Sequence, residues 1–134
     1  MNIVLLACDH RRELMSRFCV SYYEILSKHC LFSVSSVARF LSDSAKLSFS
    51  GQPNDNYGGY HQICSKVSYN EVDLVIFFIS SNQNGDFLSE RDNILRLCDV
   101  YNVPIATNIA TAEILIHGLS RGDFEWRKVG VPVI

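Results

Sequence analysis

Two short runs of apolar residues constrain the fold of this 134-residue chain more than any other feature. NIVLLAC at residues 2–8 and DLVIFFI at residues 73–79 are almost continuously apolar rather than alternating. Strands have this composition when both of their faces are buried, as in a parallel sheet that helices cover on each side. After the first run, apolar side chains recur every three or four positions, at Leu14, Phe18, Tyr22 and Ile25. The pattern favours repeated strand–helix units.

The remaining segments extend this pattern to five strands and five helices. The strands are predicted at residues 2–8, 30–34, 46–50, 73–79 and 104–108. The helices are predicted at residues 10–28, 35–40, 58–69, 89–101 and 110–117. We therefore expect a single-domain, three-layer α/β/α fold with a five-stranded parallel sheet over residues 1–134. Its core lies in residues 2–118, and residues 119–134 form a loose tail that could end in a short strand at 129–134.

Composition excludes several classes of function. Twelve Lys and Arg against fourteen Asp and Glu give a net charge of −2, which leaves no positive surplus to bind nucleic acid. The apolar runs are shorter than the ~18 residues of a membrane helix, and no signal peptide is visible, so we expect a cytoplasmic protein without a membrane partner. Five cysteines without a CxxC pair predict reduced thiols, and four histidines without zinc spacing predict no metal site.

Small and polar residues follow the predicted strands, at the edge of a parallel sheet where ligands usually bind. Six of them fall at such ends: Arg12, Ser33, Ser35, Ser36, Ser50 and Gly51. Hydroxyls and free amides at a helix start suit a phosphate, although serines in that position also cap helices. The Arg12 fork matches phosphate oxygens, although Arg12 could equally be a solvated surface charge. Neither a Walker loop nor a GxGxxG motif occurs.

Four segments of the sequence carry a family resemblance: IVLLACDHRR (3–12), SFSG (48–51), VDLVIFFIS (72–80) and NILRLCDVYNVPIATNIATAEILI (93–116). They resemble methylglyoxal synthase and the related regulatory domain of carbamoyl phosphate synthetase. The resemblance covers residues 2 to about 118. It implies a site for dihydroxyacetone phosphate, at which an aspartate removes a carbon-bound proton and phosphate is eliminated from the enediolate. It also implies that no metal or organic cofactor takes part and that the chain forms a dimeric or hexameric homo-oligomer.

The residues that match the family's phosphate site are mostly suitable. Arg12 stands where the family has a phosphate-binding lysine, and Asp9 matches the aspartate after the first strand. The serines at 33, 35 and 36 stand in its threonine-rich loop, and residues 50–51 match its Ser-Gly pair. Val34 and Val37 replace glycines of that loop, and a side chain there could hinder close approach of a phosphate.

The positions that match the family's catalytic residues differ more. The family's histidine before Asp9 is Cys8 here, and Tyr60 stands where the family has its base aspartate. A phenol has an unperturbed pKa of about 10, so it is a poor base at neutral pH. In the later loop, Phe87 replaces the family's histidine and Glu90 replaces an aspartate.

Other carboxylates could replace the missing base. Asp55 lies in a lengthened loop and could reach the base position, while Asp86 or Glu90 could supply a second carboxylate. Asp9, Asp55 and Glu90 are therefore the candidate catalytic residues. The alternative interpretation is that Asp55 is a solvated turn residue and that Asp86 and Glu90 are charges at a helix N-terminus.

Three functions follow from these residues. The first is a weakly active or non-catalytic member of the family that binds a small phosphorylated metabolite. The second is an active synthase, a carbon–oxygen lyase acting on dihydroxyacetone phosphate with Asp55 as a displaced base. The third is a structural module that uses the fold without a ligand. A carboxylate beside the substrate carbon distinguishes the first two, and an anion bound at Arg12 distinguishes the first from the third.

Overall fold

A four-stranded parallel sheet forms the centre of the molecule. The computed structural model describes residues 1–51, 56–79 and 87–129. The strands are β1 (Asn2–Ala7), β2 (Cys30–Phe32), β3 (Leu74–Phe78) and β4 (Ile105–Ala106), and their order in the sheet is β2-β1-β3-β4. The helices are α1 (Arg12–Ser21), α2 (Tyr23–Leu26), α3 (Ser35–Ser44), α4 (Asn56–Ser68), α5 (Phe87–Val100) and α6 (Ile109–Arg121).

The two apolar runs of the sequence are the two inner strands. β1 pairs with β3 in parallel register, Val4 with Val75 and Leu6 with Phe77, and all four side chains have no exposed surface. Successive side chains of a strand point to opposite faces of its sheet. On β3, Phe77 packs near a ring of α4 and Phe78 packs edge-on near a ring of α1. Helices therefore cover both faces, as the continuous runs predict.

The fifth predicted strand, at residues 46–50, is not a strand in the structure, so the expectation of five strands is wrong for the described residues. Its side chains do alternate, with Leu47 buried, Phe49 half-buried and their neighbours exposed. The Ser50 amide donates a 2.8 Å hydrogen bond to a carbonyl of β2. However, Lys46 and Gly51 have φ values of 59° and 57°, and these left-handed conformations end the extended backbone on either side.

The first predicted helix, at residues 10–28, is interrupted. A 3₁₀ turn at Asp9–Arg11 precedes α1, and the backbone departs from helical angles at Tyr22 before α2 begins. Asp9 lies inside this turn, and the N-cap residues of the turn and of α1, Cys8 and Arg11, make no capping hydrogen bond through their side chains. None of the helices in the described part of the chain has the length and apolar character of a membrane span.

The last helix is longer than its predicted range of 110–117. The Asn108 side chain accepts a 3.0 Å hydrogen bond from the Thr111 amide and caps the start of α6. Gly122, with a φ of 86°, ends α6 in the left-handed conformation that glycine adopts easily.

The described residues after α6, up to residue 129, contact the rest of the fold where the sequence predicts a loose tail. A second 3₁₀ helix, Glu125–Val129, follows α6, and residues 130–134 lie outside the described range. The Arg127 guanidinium is only 4% exposed and forms a 3.1 Å ion pair with Asp73 at the start of β3. It also donates to carbonyls of Asn102 and Val72 and to the side-chain oxygen of Asn70. No sequence pattern predicts these bonds of Arg127, because the acceptors are distant from it in the sequence.

Candidate functional site

The candidate site lies at the edge of the sheet where β1 and β2 end. Because the two strands are parallel neighbours, the segments that follow them meet at the same edge. Arg12, the first residue of α1, donates through Nη2 to the Ser36 hydroxyl, the second residue of α3, at 3.0 Å. The structure thus joins two residues that the sequence predicted at one site.

Asp9 contacts the same arginine. Its Oδ1 lies 3.1 Å from Arg12 Nη2, and its side chain is 84% exposed against 29% for Arg12. An exposed ion pair of this kind contributes about 0–1 kcal/mol, so Asp9 holds the guanidinium only weakly. This ion pair is not among the sequence predictions. A spacing of three residues is nevertheless common for ion pairs on a helical turn, and it could have indicated the pair.

One nitrogen of Arg12 is left without an acceptor. The Nε atom is buried and has no hydrogen-bond partner among the residues that the structure describes. A buried N–H group without an acceptor costs about 1–3 kcal/mol, and more when the group is charged. A buried polar atom of this kind needs an acceptor, which water, an ion or a ligand oxygen can provide.

The predicted phosphate-binding serines occupy two different environments. Ser33 is 4% exposed, and its hydroxyl donates to the Leu5 carbonyl of β1, so its proton is already used within the core. Ser35 and Ser36 are half-buried in the first turn of α3, whose N-cap residue is Val34 rather than either serine. The first turn of a helix is the positive end of its dipole, which attracts a nearby anion.

The valines that replace the family's glycines do not project over this turn. Val34 and Val37 are 1% and 2% exposed and belong to the hydrophobic core cluster. Their side chains therefore pack inward. Ser50 and Gly51, in contrast, are exposed beyond β2, where the Ser50 amide is bonded to Leu31. The structure brings Asp9 and Ser36 into direct contact with Arg12, whereas the recorded contact of Ser50 is the bond from its amide to Leu31 within β2.

The residues that the resemblance matches to the family's catalytic positions are buried where the structure describes their side chains. Tyr60 in α4 is 7% exposed, and its ring centroid lies 6.4 Å from that of Phe77. Cys8 is 2% exposed, and its amide donates to the Phe78 carbonyl at 3.2 Å. Phe87 belongs to the first turn of α5, where the structure describes the backbone only.

The three carboxylates offered as replacements are only partly described. Asp55 and Asp86 lie outside the described residues, and Glu90 is described only by its backbone position in the first turn of α5. Asp9 is described fully and points to Arg12. Asp9 is therefore the one candidate catalytic carboxylate with a known partner in the described part of the chain.

Comparison with known proteins identifies the family. The chain is 42% identical over 132 residues to a methylglyoxal synthase of Caldicellulosiruptor saccharolyticus, with 98% of this chain and 94% of the relative covered. It is 39% identical over 129 residues to a methylglyoxal synthase of Oceanobacillus iheyensis, with 96% and 92% covered. The chain belongs to the methylglyoxal synthase family.

A solved structure supports the same fold for this methylglyoxal synthase family member. The methylglyoxal synthase of Elizabethkingia anophelis superposes with a TM-score of 0.74 at 24% identity, covering 86% of this chain and 76% of that chain. No model of a protein family matches the sequence. The predicted α/β class with a parallel sheet is confirmed, with four strands in place of five.

The side chains that could bind a metal ion or react as thiols are spread across the described residues of this family member. In residues 1–51, 56–79 and 87–129, no three His, Cys, Asp or Glu side chains converge on a point that could hold a metal ion. All five cysteines lie in these residues, and none of them forms a disulfide bond. Burial raises the pKa of Cys19 and of Cys98 to about 12, so both are protonated and unreactive at neutral pH.

Proposed function

We propose that this member of the methylglyoxal synthase family binds a small phosphorylated metabolite at Arg12 and that it forms little or no methylglyoxal. The buried Arg12 Nε without a described acceptor carries the proposal. Arg12 stands where the resemblance puts a phosphate-binding lysine, so a ligand oxygen is the natural acceptor for this atom.

The surroundings of Arg12 favour a phosphate over a neutral ligand. The guanidinium is held by Ser36 at the start of a ten-residue helix, α3. Both the guanidinium and the positive end of the helix dipole attract an anion. A phosphate offers several oxygens, so it can accept from the guanidinium and from helix amides at the same time.

The expected loss of catalysis follows from the position of Tyr60. The chemistry implied by the resemblance needs a carboxylate beside the reacting carbon, and Tyr60 stands at that position with its ring packed near Phe77. Loss of a general base costs a factor of about 10² to 10⁴ in rate. Cys8 in place of a histidine removes a further donor for the oxygens of the enediolate.

The second candidate function is an active synthase with a displaced base. The 42% identity to a relative named methylglyoxal synthase favours it, because that identity extends over nearly the full length of both chains. In this hypothesis Asp55 takes the place of the base aspartate. The carbon-bound proton would pass to its carboxylate, and the electron pair left on the carbon would form the enediolate.

An assay of methylglyoxal and phosphate release from dihydroxyacetone phosphate distinguishes the two candidates. We expect little product from the unmodified chain, no change in Asp55→Asn, and a gain in Tyr60→Asp. Because an aspartate at a buried position could prevent folding, circular dichroism of Tyr60→Asp and a parallel Tyr60→Phe variant check the fold. Strong activity of the unmodified chain that disappears in Asp55→Asn would establish the displaced base instead.

Calorimetric titration with inorganic phosphate tests the binding site itself. Arg12→Ala should weaken binding by about tenfold or more, because it removes a guanidinium that donates charge-assisted hydrogen bonds. Arg121→Ala is the matched control, since Arg121 is an exposed arginine paired with Asp123 at the end of α6. Equal affinity in Arg12→Ala and the unmodified chain would contradict the proposed site.

The expected homo-oligomer and cytoplasmic location are also proposals, and both rest on the family resemblance. An open groove beside β4 is lined largely by apolar side chains, among them Leu95, Val103, Ile105 and Trp126. Exposed apolar surface of this kind is often covered by another chain. We expect light scattering at micromolar concentration to give the mass of a dimer or hexamer, and a monomer mass would contradict the oligomer.

A further inference from the structure

The Arg12 guanidinium is held at one nitrogen and open at the next. Nη2 carries two protons, and it contacts both the Ser36 hydroxyl, at 3.0 Å, and Asp9 Oδ1, at 3.1 Å. Nε carries one proton and has no acceptor among the described residues. Nε and Nη2 form one edge of the guanidinium, which can donate two parallel hydrogen bonds to an oxyanion. Asp9 reaches only one end of this edge.

A ligand that takes both donors must displace one of the present partners of Nη2. Ser36 is half-buried in the first turn of α3, whereas the Asp9 side chain is 84% exposed. Asp9 can return to water at little cost, because an exposed ion pair contributes little net free energy. Ser36 would keep Arg12 in place while the exchange occurs.

We propose that Asp9 is an internal counter-anion that a phosphomonoester displaces from Arg12. This inference rests on the proposed phosphate site and adds how that site is regulated. Two phosphate oxygens accept from Nε and Nη2, and the Asp9 carboxylate moves into solvent. A carboxylate so close to a doubly charged phosphate also repels it. Asp9 therefore lowers the affinity of the site below what its donors alone would give.

This role differs from the two other roles that Asp9 could have. A residue that positions Arg12 would strengthen ligand binding, so its removal would weaken affinity. A catalytic residue would contact the reacting carbon and would leave phosphate affinity almost unchanged. The sign of the change in affinity separates the three roles.

Calorimetric titration with inorganic phosphate tests the sign. We expect Asp9→Asn to bind phosphate about threefold to tenfold more tightly than the unmodified chain, because it removes a competing charge at contact distance. Asp43→Asn is the matched control: it changes the net charge equally, on an exposed side chain of α3 about 10 Å along the helix axis from Ser36. We expect it to change affinity by less than about twofold.

Each other outcome has a distinct meaning. Weaker or unchanged binding in Asp9→Asn, with the unmodified chain binding phosphate, overturns the inference and leaves the proposed function intact. An equal gain in Asp43→Asn also overturns it, because the effect would then be one of net charge. If phosphate binds to neither the unmodified chain nor Asp9→Asn, the proposed function fails and this inference fails with it.

Nuclear magnetic resonance provides a second readout at the atom concerned. The Nε–H groups of arginine give their own peaks in a proton–nitrogen correlation spectrum, and the peak lost in Arg12→Lys belongs to Arg12. Saturating phosphate should move this proton downfield in both the unmodified chain and Asp9→Asn, since Nε gains an acceptor in each. A peak that does not move while calorimetry detects binding would overturn the inference.

Discussion

Two arginines at opposite edges of the sheet show how differently one side chain can be used. At the amino edge, all three guanidinium nitrogens of Arg127 donate to acceptors, and the side chain is 4% exposed. At the carboxyl edge, Arg12 is 29% exposed, its Nη2 has two partners, and its Nε has none among the described residues.

The comparison distinguishes an arginine that holds parts of the fold together from an arginine that retains a donor for a ligand. The guanidinium of Arg127 joins the segment after α6 to the starts of β1 and β3, because its partner Asp73 also accepts from the Asn2 amide at 2.8 Å. Four of the five N–H groups of Arg127 donate to acceptors within the fold, and each of its nitrogens makes at least one such bond. Arg12 instead retains a donor, at the edge of the sheet where ligands bind.

The largest effect should come from Arg127→Ala. Removing one partner of a buried ion pair leaves the other charge uncompensated, and we expect the free energy of unfolding to fall by about 3–5 kcal/mol. Urea unfolding followed by circular dichroism measures the change. Arg12→Ala, measured beside it, should change stability by no more than about 1 kcal/mol. Similar losses of unfolding free energy in the two variants would contradict the distinction between the two arginines.

A smaller effect should come from Ser33→Ala, which we compare with Ser36→Ala at the same carboxyl edge of the sheet. The buried Ser33 hydroxyl donates to the Leu5 carbonyl, and its loss should reduce stability by about 1–2 kcal/mol with little change in phosphate affinity. Ser36→Ala should do the reverse, because Ser36 holds Arg12. Calorimetry and urea unfolding of both variants decide this. A large loss of phosphate affinity in Ser33→Ala would place its hydroxyl on the ligand.

The smallest effect should be a dependence on pH at the amino edge. Burial lowers the pKa of His29 from its ordinary 6.5. The positive charges of the Met1 amino group and of Lys128 lower this pKa further, while the negative charge of Asp73 acts to raise it. The unfolded chain therefore binds the proton more readily, so stability is complete above pH 6.5 and falls as pH decreases through the lowered pKa.

Unfolding experiments between about pH 5 and 7 test this sign. His29→Asn should flatten the slope, whereas His10→Asn, at an exposed position in the 3₁₀ turn before α1, should retain it. A slope that survives in His29→Asn would assign the effect to other groups.

The sequence predicts the sheet better than it predicts hydrogen bonds. Continuous apolar runs identify β1 and β3, and the parallel order follows from the strand–helix units. Alternation at residues 46–50 correctly predicts which side chains are buried. The segment is nevertheless not a strand of the sheet, because Lys46 and Gly51 have left-handed backbone conformations that end it on either side. Backbone angles of this kind depend on packing that a pattern of side chains does not reveal.

The candidate site shows the same limit. Placement at strand ends correctly predicts that Arg12 and Ser36 share one edge. It does not predict that the Ser33 hydroxyl faces a backbone carbonyl, or that Asp9 forms an ion pair with Arg12. The role of Arg127 is not predicted at all, because its acceptors come from two separate turns and no periodic spacing in the sequence relates them to it.

The contacts of Asp73 have a consequence for folding kinetics. Its carboxylate joins Asn2, 71 residues away, and Arg127, 54 residues away. Contacts that close such long loops carry a high entropic cost, so we expect them to form after the folding transition state has been passed. Interactions formed that late slow unfolding and leave the folding rate almost unchanged. Asp73 would then determine how long the folded chain persists, and hardly how quickly it forms.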